Sequence, residues 1–377
     1  MLVLVLDQSD FLARYWQREP LLLRAAVPDF VPPVSAEELA GLAMETEVES
    51  RIAECRGEPA SAAAWHLEHG PFPASAFDRG HPWTLLVQGV DQLLDEVAAL
   101  RALAGFIPAW RLDDIMVSYA SDGGGIGPHY DLYDVFLLQG EGERIWRIGQ
   151  RCDDSTPLLP HPDLKLLAEF DCQAEYTLQC GDVLYIPPGV AHWGISVGDS
   201  TCFSIGFRAP RMADLLSRCI DARLVQLPAS LLLGDAGRSP TGAPGEIIGA
   251  DIDNALLQLR ELLTTRADNS WFGELVTETE AEPPAGPELR QMRSALHKAG
   301  SHARLAAGAR VAWQALDLDI RVFANGNSHL FGLQVREPLV TLCADGVLPL
   351  PADTGCAELL EFLIREGALE VSGATKN

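Results

Sequence analysis

From about Leu85 onward, apolar and polar residues alternate in short runs at 114–119, 133–138, 144–148, 175–178, 182–186 and 201–207. Alternation of period two, broken by glycine clusters, predicts half-buried strands joined by turns. Many short strands so spaced predict a barrel or a double-sheet jelly roll, the double-stranded β-helix. The stretches 36–49 and 90–103 instead repeat apolar residues at helical spacing and are expected to buttress one sheet. The apolar opening, 1–6, is too short for a leader and reads as a first strand or helix.

Beyond Pro210 the pattern changes. Segments 211–227 and 250–263 carry leucines at helical spacing around a Gly- and Pro-containing loop at 234–245. Those leucines exceed what a small helical region buries by itself, so a homodimer joined through the helices is expected. Acidic and proline residues at 278–287 read as a linker. A last unit starts near Glu288, with helices expected at 289–299, 303–309 and 357–366 and strand-like pieces at 320–324 and 334–340. Helices followed by a small sheet suggest a winged-helix-like module. The expected division is a mixed α+β chain with a barrel at 1–210, a helical dimerisation region and linker at 211–284, and a winged-helix-like domain at 285–377.

The length, 377 residues, supports several structural units, and 47% hydrophobic against 21% charged residues supplies ample core. No apolar stretch approaches the roughly 20 residues that cross a bilayer, and a cytoplasmic protein is expected. The eight cysteines form no C-x-x-C pair, which argues against a zinc ribbon. A net charge of −25 disfavours a nucleic-acid footprint and favours a basic partner. The last unit holds 9 basic and 10 acidic residues, which further demotes DNA reading.

The strongest chemical signal is Gly123-Gly-Gly-Ile-Gly-Pro-His129-Tyr-Asp131. On a strand, residues two apart share a face, so His129 and Asp131 can point together into a barrel. A third ligand, His192, follows the strand and Pro-Pro-Gly turn at 182–189. Two histidines and one carboxylate on one face of an octahedral metal leave three open positions, the arrangement of non-haem iron(II) oxygenases. A keto acid can take two and O2 one. The distal carboxylate of such a cosubstrate needs a cation, for which Arg144 is the candidate, with Ser118 as a second donor. Arg147 should face the opposite side. Asp122, just ahead of the glycines, is expected at the mouth, pairing with a basic substrate residue; the other use of an aspartate there is to cap a turn.

The stretch 129–140, Arg144-Ile-Trp-Arg147, 182–189, His192 and Gly206-Phe-Arg-Ala-Pro210 resemble the bacterial ribosomal oxygenases of the JmjC class, most of all their arginine hydroxylases. The likeness is specific between about Leu112 and Pro210. It implies Fe(II) on His129, Asp131 and His192, and 2-oxoglutarate on Arg144 and Ser118. It also implies a helical dimerisation region and a C-terminal winged-helix domain. The implied reaction is hydroxylation of an arginine β-carbon in the sixteenth large-subunit ribosomal protein, a basic substrate. Two alternatives stay open: histidine hydroxylation in another ribosomal protein, and a non-redox cupin-like metalloenzyme that would need no Arg144.

Overall fold

The computed structural model describes residues 2–264, 268–279, 283–296, 301–350 and 356–372. Glu280 and Glu282 of the expected linker, and the end of the expected helix 289–299, lie outside them. The chain divides into two compact units, 1–209 and 210–377. In this division the helical region shares a unit with the C-terminal sheets.

The first unit contains β1 (Leu21–Leu23), β2 (Ser50–Cys55), β3 (Trp65–His69), β4 (Trp83–Val87), β5 (Leu112–Ala120), β6 (Asp134–Gln139), β7 (Glu143–Arg151), β8 (Ala174–Leu178), β9 (Val183–Ile186), β10 (Val190–Val197) and β11 (Ser200–Phe207). They form two antiparallel sheets, an eight-stranded one in the order β1-β9-β6-β11-β5-β4-β2-β3 and a three-stranded one in the order β10-β7-β8. The expected jelly roll is thus observed, and it begins earlier in the chain than the alternation suggested, because β1 to β3 extend the large sheet.

Alternation gives β5 and β11 two unlike faces. Ile115, Val117, Phe203 and Ile205 point into a core shared with Phe11, Leu39, Val90 and Leu100 of the N-terminal helices. Phe11 is 1% exposed and packs on Tyr185 and Phe136 at centroid distances of 4.9 and 5.4 Å. Burying one such ring stabilises by about 1.5–3 kcal/mol, which seats its helix, Gln8–Arg14, on the large sheet. The opposite faces enclose the barrel interior, where Val135, Leu137, Leu184 and Cys202 of the large sheet meet Trp146, Ile148 and Leu178 of the small one.

The buttressing helices are shorter than expected. Segment 36–49 keeps only Ala36–Leu42, started by a reciprocal capping box between Ser35 and Glu38. Segment 90–103 breaks at Leu94, whose backbone is extended, into Val90–Leu93, Asp95–Ala98 and the 3-10 helix Ala99–Ala104.

In the second unit, helices Met212–Leu224 and Gly249–Thr264 match the leucine periodicity. The strands β12 (His302–Leu305), β13 (Val311–Ala315), β14 (Asp319–Ala324), β15 (Asn327–Gly332), β16 (Val347–Pro349) and β17 (Leu369–Ser372) form two sheets, β16-β12-β17 and β13-β14-β15. Two expectations are corrected here. The alanine-rich stretch 303–309 opens with β12 and has no helix, because pairing on both sides by β16 and β17 outweighs the helix preference of alanine. The stretch 334–340 is not a strand: it enters the helix Arg336–Asp345, which buries Leu339 and Leu342 beside Val335. Those residues stand at i, i+4 and i+7, and Pro338 falls in the first turn, where its missing N–H costs no helical bond.

Candidate active site

The histidines meet where the glycine-rich segment runs along β10. His129 and His192 form an isolated bridge in which the backbone N–H of each donates to the carbonyl of the other, at 3.0 and 2.8 Å. Residues 129–131 are therefore not a regular strand, as alternation had suggested. The N–H of Gly189 donates to the carbonyl of Asp131 at 2.7 Å, tying the Pro-Pro-Gly turn to the acid. Asp131 Oδ2 lies 3.5 Å from His192 Nε2 and 3.9 Å from His129 Nε2. One ligand atom from each of the three residues falls within 4.8 Å of the others.

The donor set fits a metal. Each histidine Nδ1 lies 3.0 Å from a backbone carbonyl, that of Gly127 for His129 and that of Val190 for His192. A carbonyl only accepts, so each ring holds its proton on Nδ1 and presents a lone pair on Nε2. Burial, reinforced by the neighbouring His129, holds His192 down to about 4, so its ring is neutral at physiological pH. Gly127 has φ +82°, and a Cβ there would come within 2.8 Å of both Trp65 and Leu166. Those two side chains fix the carbonyl that orients His129.

Arg144 and Arg147 face opposite sides, as their spacing requires. Arg147 is paired with Glu175 at 2.8 Å. Arg144 is 5% exposed and crosses the barrel from the small sheet to the large one. Its Nη1 donates to Ser118 Oγ at 3.0 Å, and its Nε and Nη2 donate to Ser200 Oγ at 3.3 and 3.1 Å. Burial lowers its pKa, and no carboxylate among the described residues pairs with it. A buried cation without an anion is costly unless a ligand supplies the charge. The indole Nε1 of Trp146, two residues along the same face of β7, is buried and has no partner among the described residues. His192, Gly194 and Ser196 share a face of β10 and pair in register with Ile148, Trp146 and Arg144. The metal trio and the cation thus stand four residues apart along β10, about 13 Å, on one lumen.

Asp122 makes the turn contact that was the other of its two expected uses. Its Oδ1 accepts from the N–H of Gly198 at 2.8 Å, beside the turn between β10 and β11. The N–H of Gly123 donates to the carbonyl of Ser196, and Gly124 and Ser196 are bonded again in the other direction. The glycine segment thus runs antiparallel along β10, which puts Asp122 near Arg144 and not at the metal end. A different acid stands at that end. Asp114, on the lumen face of β5, accepts from Gln88 Nε2 and the Gly89 N–H through Oδ2, at 2.7 and 2.8 Å, while its Oδ1 lies over Gly206. Burial raises its pKa. Tyr133 is 44% exposed; desolvation of its hydroxyl, then the charge of Asp131, raises the phenol, and Asp114 acts on it in the same sense. Sequence reading missed Asp114, Ser196, Ser200 and Trp146. Counting every second residue from Ser118, Arg144 and His192 would have found all but Ser200.

A two-sheet barrel with a His-Asp-His trio at one end and a buried arginine at the other defines a cupin-like JmjC oxygenase domain, and the JmjC domain family matches residues 99–215. Over 97% of both chains the sequence is 33% identical to the ribosomal protein uL16 3-hydroxylase of Escherichia coli. It is 36% identical to a probable ribosomal oxygenase of Haemophilus influenzae, over 55% of this chain and 50% of that one. The solved structure of a ribosomal oxygenase from Escherichia coli in complex with cobalt and 2-oxoglutarate superimposes with a TM-score of 0.77 at 32% identity, over 99% of this chain and 100% of that one. The same enzyme with cobalt and succinic acid gives a TM-score of 0.78 over the same shares. The chain belongs to the ribosomal oxygenases of the JmjC class.

Proposed function

We propose that this protein is an Fe(II)- and 2-oxoglutarate-dependent oxygenase that hydroxylates the β-carbon of an arginine in ribosomal protein uL16. The observation that carries the reading is Arg144, a buried cation that has no carboxylate partner among the described residues and faces the same lumen as the trio. A non-redox cupin-like enzyme would have no use for it. Ferrous iron, when bound, supplies O2 activation and the oxidative decarboxylation of 2-oxoglutarate to succinate that furnishes the hydroxyl. His129, Asp131 and His192 would hold the metal, with Gly127 and Val190 carbonyls fixing the two rings. Arg144 and Ser118 would hold the distal carboxylate and so orient the keto acid toward the trio. Val135, Leu137, Trp146 and Cys202 line the lumen between and exclude water.

Asp114 suits the substrate arginine. Its Oδ2 is held by Gln88 and Gly89, which leaves Oδ1 to accept an N–H of a guanidinium, whose planar, fixed donors orient the side chain where lysine offers a point charge. The test is a +16 Da shift on uL16 peptides that carry arginine, lysine or histidine at the target, with succinate release measured in parallel. Arginine should be preferred. Asp114→Asn should slow hydroxylation by about tenfold or more while 2-oxoglutarate binding stays intact, the loss corresponding to one charge-assisted contact. Asp122→Asn should leave the rate unchanged. Preference for histidine would move the enzyme to the histidyl hydroxylases, and an unaffected Asp114→Asn would remove that acid.

The second unit supports a homodimer. Helices Met212–Leu224 and Gly249–Thr264 bury no residue, and Ile252, Leu256, Leu259 and Leu263 form an apolar stripe 36–58% exposed. Their spacing of four, three and four residues is that of a helix-packing seam. A second copy covering that stripe would be joined by a two-fold axis. The mass in solution should be twice that of the chain; a monomer mass independent of concentration would refute the pairing. The winged-helix-like reading of the C-terminal sheets rests on the pattern of helices followed by a small sheet and on the family resemblance.

A further inference from the structure

Arg144 does not hold its position alone. Its guanidinium has donors only, so Ser200 Oγ, which takes N–H groups from both Nε and Nη2, accepts twice. The proton of Ser200 then has one place to go, Ser196 Oγ, 2.6 Å away. Ser196 in turn donates to the carbonyl of Gly198 at 2.7 Å. The relay therefore has a fixed direction, from Arg144 through Ser200 and Ser196 to the turn that joins β10 and β11. Ser196 is 3% and Ser200 1% exposed, so water cannot readily replace a missing hydroxyl.

We propose that Ser200, backed by Ser196, is a positioning residue that fixes the guanidinium of Arg144 at one depth in the lumen and so selects the chain length of the keto diacid. The inference rests on the 2-oxoglutarate reading of the site. An arginine side chain is long and rotationally free, and a cation that could slide toward the turn would admit a longer diacid with its keto group still at the metal. The hydroxyl pair closes that route. Ser196 stands opposite Arg144 in register, but the hydrogen bonds of the guanidinium go to Ser118 and Ser200, so the hydrogen-bonded effect of Ser196 passes through Ser200.

The test is calorimetric binding of 2-oxoglutarate and of 2-oxoadipate, one methylene longer, to the cobalt-loaded protein, for wild type, Ser196→Ala, Ser200→Ala and the double variant. Retained cobalt binding and the circular dichroism spectrum establish that each variant is folded. Wild type should prefer the shorter acid. Ser200→Ala should weaken 2-oxoglutarate by about tenfold, as expected for loss of hydrogen bonds to a charged group, and weaken 2-oxoadipate less, so that the preference narrows. Ser196→Ala should do the same to a smaller extent, and the double variant should match Ser200→Ala within about twofold, the signature of two residues acting in series. Equal weakening of both acids, additive effects in the double variant, or 2-oxoglutarate affinity within twofold of wild type in Ser200→Ala would each overturn the proposal. If wild type itself fails to bind 2-oxoglutarate, the functional reading falls first and takes this inference with it.

Discussion

Substituting His129, Asp131 or His192 by alanine is expected to bring 2-oxoglutarate turnover below about 1% of wild type, with the fold preserved. Changing groups that merely orient a metal ligand already costs about 10–100-fold, so removal of a ligand lies beyond that range. The three residues converge on one point from two segments, through the bridge between residues 129 and 192 and the bond from Gly189 to Asp131. Those bonds are made by the backbone and survive the substitutions. The greatest structural cost falls at His192, where the carbonyl of Val190 loses its donor, about 1–3 kcal/mol for a buried group. Total stabilities are about 5–15 kcal/mol, so the variant should still fold. The measurements are succinate release, cobalt binding and the thermal midpoint. Full turnover by any one variant would remove that residue from the metal site.

The parts of the site that could be read from the sequence are those set by period two. Arg144 and Arg147, three apart on β7, are split across a sheet as alternation requires, whereas His129 and Asp131, two apart, converge through the bridge to His192 and the bond from Gly189 and not through a regular strand. What could not be read was depth along the lumen. Asp122 adjoins the glycines that lead to His129, yet the seven-residue step between them runs back along β10 and carries it toward the turn between β10 and β11. Asp114 looked like the start of an apolar strand, and only the pairing of β5 with β11 turns it over Gly206. In the second unit the failures have a different cause. The stretch 334–340 fits a strand and a helix equally over seven residues, and the packing of Leu339 and Leu342 against Val335 decides for the helix. The alanines at 303–309 carry no face at all, so the neighbouring strands imposed one.

Arg144→Met should raise the concentration of 2-oxoglutarate needed for half-maximal turnover by about 30-fold or more, while metal binding stays unchanged. Methionine keeps the apolar stem and removes five donors, so the distal carboxylate of the cosubstrate would enter the lumen with no charge partner. Truncating one member of a buried, hydrogen-bonded charge pair costs about 2–5 kcal/mol, and 2 kcal/mol is already about 30-fold. Protein stability should move the other way. Without ligand, Arg144 is a desolvated cation held, among the described residues, by serine hydroxyls and a backbone carbonyl, and burial lowers its pKa. Replacing such a group by an apolar one of similar volume removes a desolvation cost, so the ligand-free variant should melt at or above the wild-type temperature. The hydroxyls it leaves behind can still bond along the relay through Ser196. The two effects together distinguish a ligand-binding arginine from a structural one: a structural arginine would lower the melting temperature when removed and leave cosubstrate dependence alone. Measured by succinate release across a 2-oxoglutarate series and by thermal unfolding without ligand, unchanged cosubstrate dependence would mean that another basic residue holds the keto acid.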